Sequence, residues 1–134
     1  MPKEKKPFMT IKVPTSFEIE EERIQDLLTE ALEGGSNHWY LIKEYRYPEG
    51  KTKADFEFQH VEVPFAEGGA IVFEDSHDGK KKDYVLDRAA MEKGLTLMAS
   101  KFGAHWNTFL QENDDAETGD VFLQLALFGE VIYG

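Results

Sequence analysis

Cysteine is absent from the 134-residue chain, which excludes a disulfide framework, a thiolate metal site and a cysteine nucleophile. Basic residues are scarce: 15 Lys and Arg stand against 26 Asp and Glu, giving a formal net charge of −11 and a pI near 4.8. Gripping a phosphate backbone needs the opposite balance, so direct nucleic-acid backbone binding is not expected. No apolar run approaches the ~20 residues that cross a bilayer. The segment Met1 to Pro7 is basic but is not followed by the apolar stretch of a signal peptide, and a cytoplasmic protein without membrane association is expected.

What is present suits one domain over residues 1–134. With 41% hydrophobic residues, a chain of this length buries roughly two thirds of its unfolded surface. Residues 1–7 offer little to bury and are expected to be flexible.

Met9, Ile11 and Val13 alternate with polar residues, which predicts a strand ended by Pro14. Ile24, Leu27, Leu28, Ala31 and Leu32 then form a helical stripe that opens with Glu20 to Glu22 and ends at Gly34-Gly35, a left-handed stop. From Trp39 the period is two, with Trp39, Leu41, Tyr45 and Tyr47 on one side and Tyr40, Ile42, Glu44 and Arg46 on the other. A further strand is expected over 55–63, broken near His60. Strands over 70–74 and 83–86 flank a polar loop with an Asp78-Gly79 turn. After Asp87, a candidate N-cap, Met91, Leu95, Met98 and Phe102 have helical spacing, and Gly103 closes that helix. A short helix is expected over 104–110 and a buried one over 121–128, capped by Thr118 and ended by Gly129. The fold class is α+β: an N-terminal strand and helix, a four- or five-stranded antiparallel meander, and C-terminal helices packed on one face.

Two stretches, Glu33-Gly34-Gly35-Ser36-Asn37-His38-Trp39-Tyr40 and the segment from Asp115 through Gln124 to the Gly129-Glu130-Val131-Ile132-Tyr133-Gly134 end, resemble a widespread family of small, mostly uncharacterised proteins of tailed bacteriophages and prophages. The resemblance covers about residue 16 onward. It implies an accessory protein acting in the bacterial cytoplasm on host physiology or host defence, and it supplies no catalytic residue.

Side-chain chemistry narrows the function classes. His38, His60, His77 and His105 are widely spaced and form no i, i+4 pair, so zinc is not expected; Asp75, His77 and Asp78 lack the oxygen series of a calcium loop. No cofactor is expected. Gly34-Gly35 follows a helix rather than opening one, the wrong end for a phosphate. Ser36 and His38 have no third group to orient them as nucleophile and base. With no nucleophile, metal set or acid and base pair marked by spacing, an enzyme ranks lowest, and a virion structural role also stays open.

Two binding modes remain. Residues 16–33 hold seven carboxylates and one arginine, and residues 102–134 hold six carboxylates with no Lys or Arg. If they share a face, Glu21, Glu22, Asp26, Asp114, Asp115 and Glu117 are the candidate residues for docking a basic surface of a host protein, as in a defence inhibitor. The alternative is a nucleotide-signal binder or sequestering protein, in which Tyr40 stacks a base while Arg46 and Lys80, Lys81 and Lys82 meet phosphates. Tyr40 and Arg46 would stand about 20 Å apart on one strand, so that site requires a dinucleotide or a homo-oligomer.

Overall fold

The computed structural model describes residues 8–10 and 16–134. Helix α1 (Glu21–Glu30) runs without interruption into one wide π turn, Ala31–Gly35, and strand β1 (Tyr40–Arg46) follows. A segment of short helical turns, including α2 (Gln59–Glu62), leads to β2 (Ala70–Asp75) and β3 (Tyr84–Leu86). The chain ends in α3 (Arg88–Lys101), α4 (Gly103–Leu110) and α5 (Ala116–Phe128). The architecture is α+β, with the C-terminal helices packed against an antiparallel sheet of order β1-β2-β3.

Helix α5 is the axis of the core, and every residue from Thr118 to Leu127 is buried. Helix α3, α1 with its π turn, α4 and β3 all pack against it. Close approach is set by glycine. A Cβ on Gly119 would lie 2.6 Å from the Ala31 nitrogen, and one on Gly35 would lie 1.9 Å from the Ala116 oxygen, so only glycine lets α1 and α5 touch along their backbones. On the sheet, Tyr40, Ile42 and Tyr45 face the core beside Ile71, Phe73 and Leu86.

Several sequence expectations are corrected. The strand predicted over 55–63 is instead a run of helical turns: Thr52 and Asp55 form a reciprocal cap, and Glu62 accepts from the Phe58 N–H at the start of α2. The parity switch at His60 marks that change of period, and among the described residues the sheet has three strands, where four or five were expected. The strand predicted over 9–13 falls mostly outside the described residues; Met9 and Thr10 are irregular. Strand β1 does not keep one parity, because its register shifts between Ile42 and Glu44. That bulge turns Tyr40, Ile42 and Tyr45 inward and leaves Leu41 53% exposed. Gly34 and Gly35 do not adopt the left-handed conformation; they continue the helix as a π turn. Gly103 opens α4 instead of closing α3, since Phe102 makes the joint. Helix α5 begins five residues earlier than expected, with Asp115 rather than Thr118 as its N-cap; the Asp115 carboxylate accepts from the Thr118 N–H at 3.0 Å. The expected caps Asp87 and Gly129 hold: Asp87 accepts from the Ala90 N–H, and Gly129 ends α5 at φ 77°.

Candidate functional site

One face of α1 carries Glu22, Asp26 and Glu30 at successive turns, with Arg23 among them. The loop joining α4 to α5 lies against this face. Its Asp114 accepts a 2.6 Å hydrogen bond from the Arg23 guanidinium, which also donates to the Phe109 carbonyl at 2.7 Å and sits 4.8 Å from the centre of the Phe109 ring. Arg23 further approaches Glu112 at 3.7 Å and Asp26 at 3.9 Å. The result is an open cleft of about 460 Å³ lined by Arg23, Asp26, Thr29, Glu30, Glu112 and Asp114. Four carboxyl groups surround one guanidinium.

Glu30 and Asp114 are not independent acids. The Asp114 side chain is only 3% exposed, and Glu30 Oε2 is buried and, with Glu30 ionised, has no donor. Protonation would turn that oxygen into a donor, and the Asp114 carboxylate lining the same cleft is an acceptor for it. Burial and the hydrogen bond to Asp114 push the Glu30 pKa up to about 8. Burial alone would raise Asp114 as well, but the hydrogen bonds from Glu30 and Arg23 outweigh it and hold that carboxyl below its ordinary range. Arg23 is held protonated even more firmly than usual by its bond to Asp114.

The predicted acidic residues thus divide by role. Asp26 and Asp114 meet in the cleft, Asp26 exposed to solvent and Asp114 committed to Arg23. Glu22 is exposed one turn before Asp26. Glu21 lies elsewhere, lining an apolar groove of about 1000 Å³ between residues 16–24 and α3. Asp115 caps α5, and Glu117 is exposed 4.0 Å from the His105 ring. Sequence reasoning missed Arg23, Glu30 and Glu112. The signal for the first was its being the one base in a run of carboxylates.

The nucleotide candidates do not converge. Tyr40 is half-buried, meets Phe73 edge to face and donates its hydroxyl to the Leu32 carbonyl at 2.6 Å, closing the π turn instead of presenting a stacking face. Arg46, paired with Glu44 at 3.1 Å, lies at the opposite end of β1 from Tyr40. Lys80, Lys81 and Lys82 sit in the β2–β3 turn, beyond the Tyr40 end of the sheet, and Lys82 rests over the Tyr84 ring. Among the described residues, no group of three or more His, Asp or Glu is placed to hold a metal ion. In the 75–78 loop, Asp75 and Asp78 accept from the His77 and Lys80 backbone N–H groups, as turn residues do.

The two stretches that carry the bacteriophage resemblance meet inside the protein. Asp120 accepts from Ser36 Oγ at 2.6 Å, from the Trp39 indole at 2.8 Å and from Gln124 at 2.9 Å. Gln124 in turn holds the chain end: its amide donates to the Tyr133 carbonyl, and its oxygen accepts from the Ile132 and Tyr133 N–H groups. Tyr133 stacks on Trp39 and donates its hydroxyl to Asp75 at 2.7 Å. Ser36 is fully buried and bonded to Asp120, so it is no nucleophile for His38. These residues form a structural network, and its polar members satisfy one another. The chain matches no protein-family model, no curated protein and no solved structure.

Proposed function

We propose that this chain is a non-enzymatic accessory protein of a tailed bacteriophage or prophage that binds a basic surface of a host protein, as an inhibitor of host defence, in the bacterial cytoplasm. The observation that supports the binding mode is the convergence of the two acidic segments, joined by Arg23 and Asp114 across 91 residues of sequence, on one open cleft. Glu22, Asp26 and Glu112 stay exposed around it, where they can steer and meet cationic groups. The bacteriophage context comes from the resemblance of residues 33–40 and 115–134.

The test is capture of host proteins from bacterial lysate by wild type and by Glu22→Lys/Asp26→Lys/Glu112→Lys, followed by binding rates for each captured protein at rising salt. A partner of the acidic cleft should associate more slowly as salt rises, because exposed charges are screened over about 8–10 Å near physiological ionic strength, and more slowly still with the triple variant. Binding indifferent to salt and to charge reversal would remove the reading.

A further inference from the structure

We propose that Glu30 and Asp114 form a proton-operated latch between α1 and the 111–115 loop, closed while the carboxyl pair shares a proton and released when that proton leaves. The inference rests on the arrangement of the side chains. Asp114 is the loop's buried anchor, held by the Arg23 guanidinium at 2.6 Å, and Glu30, whose Oε2 is buried without a partner, lines the same cleft. With one proton between them, the two carboxyl groups and the guanidinium balance in charge and in donors. Without it, two carboxylates line the cleft beside a single cation, one of them with a buried oxygen that no longer has a use as a donor. Opening of the loop relieves both costs by returning the carboxylates to water.

The other groups around the pair do not cancel this effect. From α1 the cleft receives Arg23 and Asp26, together with the uncharged Thr29; from the loop it receives Glu112. Arg23 opposes ionisation-driven release by attracting both carboxylates, whereas Asp26 raises the Glu30 pKa further. Helix α2 meets α1 on another side, where Gln25 donates to the Val61 carbonyl. The hydroxyl of Thr29 is already used on the Gln25 carbonyl, so it is no substitute donor for Glu30.

A conformational consequence follows by linkage. The closed loop holds the proton up to about 8, whereas an open loop releases it in the ordinary glutamate range, about 4.3. Across that interval the ratio of closed to open loop falls by up to about tenfold per pH unit. The Glu112 and Asn113 amides report on it directly, because they donate to the Phe109 and Thr108 carbonyls only while the loop keeps its turn.

The experiment is NMR on the full chain: side-chain carboxyl ¹³C titration together with hydrogen-exchange protection factors, corrected for intrinsic exchange, for residues 111–115. The expected result is one glutamate titrating far above the others, its signal absent from Glu30→Gln, with protection at Glu112 and Asn113 falling as pH rises in wild type. In Glu30→Gln the amide N–H replaces the shared proton, and protection should not depend on pH. A Glu30 that titrates with the other glutamates, or loop protection that stays level while Glu30 titrates, would overturn the latch. Both readouts exist in wild type, so the result does not depend on a variant folding.

Discussion

The indole N–H of Trp39 donates to the Asp120 carboxylate at 2.8 Å, joining residues 81 positions apart at the point where α1, α5 and the chain end meet. Asp120 is the shared acceptor for three donors there; its removal leaves Ser36 Oγ and the Trp39 indole without that acceptor, while Gln124 keeps its bond to the Tyr133 carbonyl. Asp120→Ala should cost at least about 2–3 kcal/mol, since each buried group left unsatisfied carries a penalty of that order. Urea unfolding followed by Trp39 and Trp106 fluorescence checks it. A midpoint unchanged from wild type would mean that the network contributes little.

Gln124 makes the chain end part of the fold. Deletion of residues 131–134 uncovers the Trp39 and Phe128 rings that Tyr133 now meets, and it leaves the buried Gln124 amide with unpaired atoms. The truncated chain should unfold at lower temperature, and Gln124→Leu should reproduce much of the loss in the full chain, because the Ile132 and Tyr133 N–H groups then have no acceptor. Thermal melts of the two variants make the comparison.

Glycine in the interior of a helix usually costs about 1 kcal/mol relative to alanine, so a Gly→Ala change there is normally stabilising. Gly119 and Gly94 should reverse that sign. A Cβ on Gly119 would meet the Ala31 nitrogen of the π turn at 2.6 Å and the Leu27 carbonyl oxygen of α1 at 2.9 Å, and one on Gly94 would meet the Ala126 nitrogen at 3.0 Å. Gly119→Ala should destabilise by about 1–3 kcal/mol through overpacking, and by more than Gly94→Ala, whose contacts are looser. Equilibrium unfolding of both variants decides the order.

Global stability should fall as pH rises from about 4.3 to about 8, and the sign follows from Glu30. Its pKa is raised in the fold, so over that range the folded chain keeps a proton that the unfolded chain has released; the stabilisation is complete at the acid end and lost once pH passes about 8. Asp114, with a lowered pKa, acts in the opposite sense and only at more acid pH, where its protonation weakens the Arg23 pair. Glu30→Gln should therefore give a flatter profile and exceed wild type in stability at pH 8. Urea midpoints over the pH series test it; parallel profiles would show that Glu30 titrates normally.

Leu125 is buried in the middle of α5, as its spacing with Val121 and Phe128 requires. Leu125→Ala should cost about 2–5 kcal/mol. Phe128 is less buried but packs against Trp39 and Tyr84, so Phe128→Ala should be destabilising too, and calorimetry of the two variants ranks them.

The sequence by itself determined the fold class, four of the helices, the three strands and the identity of most core residues, because those follow from period and local capping. Ile24 to Leu32 repeats at helical spacing, Ala70 to Glu74 is a short apolar run beside a turn signal, and Asp87 and Gly129 punctuate helices through their own backbone and side-chain chemistry. Tertiary contact decided the rest. Segment 55–63 alternates like a strand, yet it folds as turns held by Tyr47 and Gln59 and by its own caps. Tyr40 and Tyr45 came to share the inner face only through a bulge at Lys43, which no period reveals. Gly34-Gly35 reads locally as a helix stop, but its purpose is the backbone approach of α5, a neighbour 81 residues on at Ala116. The cleft is the same kind of case: Glu30 and Asp114 look like two ordinary surface acids in sequence, and only the packing of the 111–115 loop on α1 brings them into one cleft beside Arg23, where burial raises the Glu30 pKa. Local propensity acts over a few residues and is written in order along the chain, whereas burial and pairing depend on which distant segments the packing brings together.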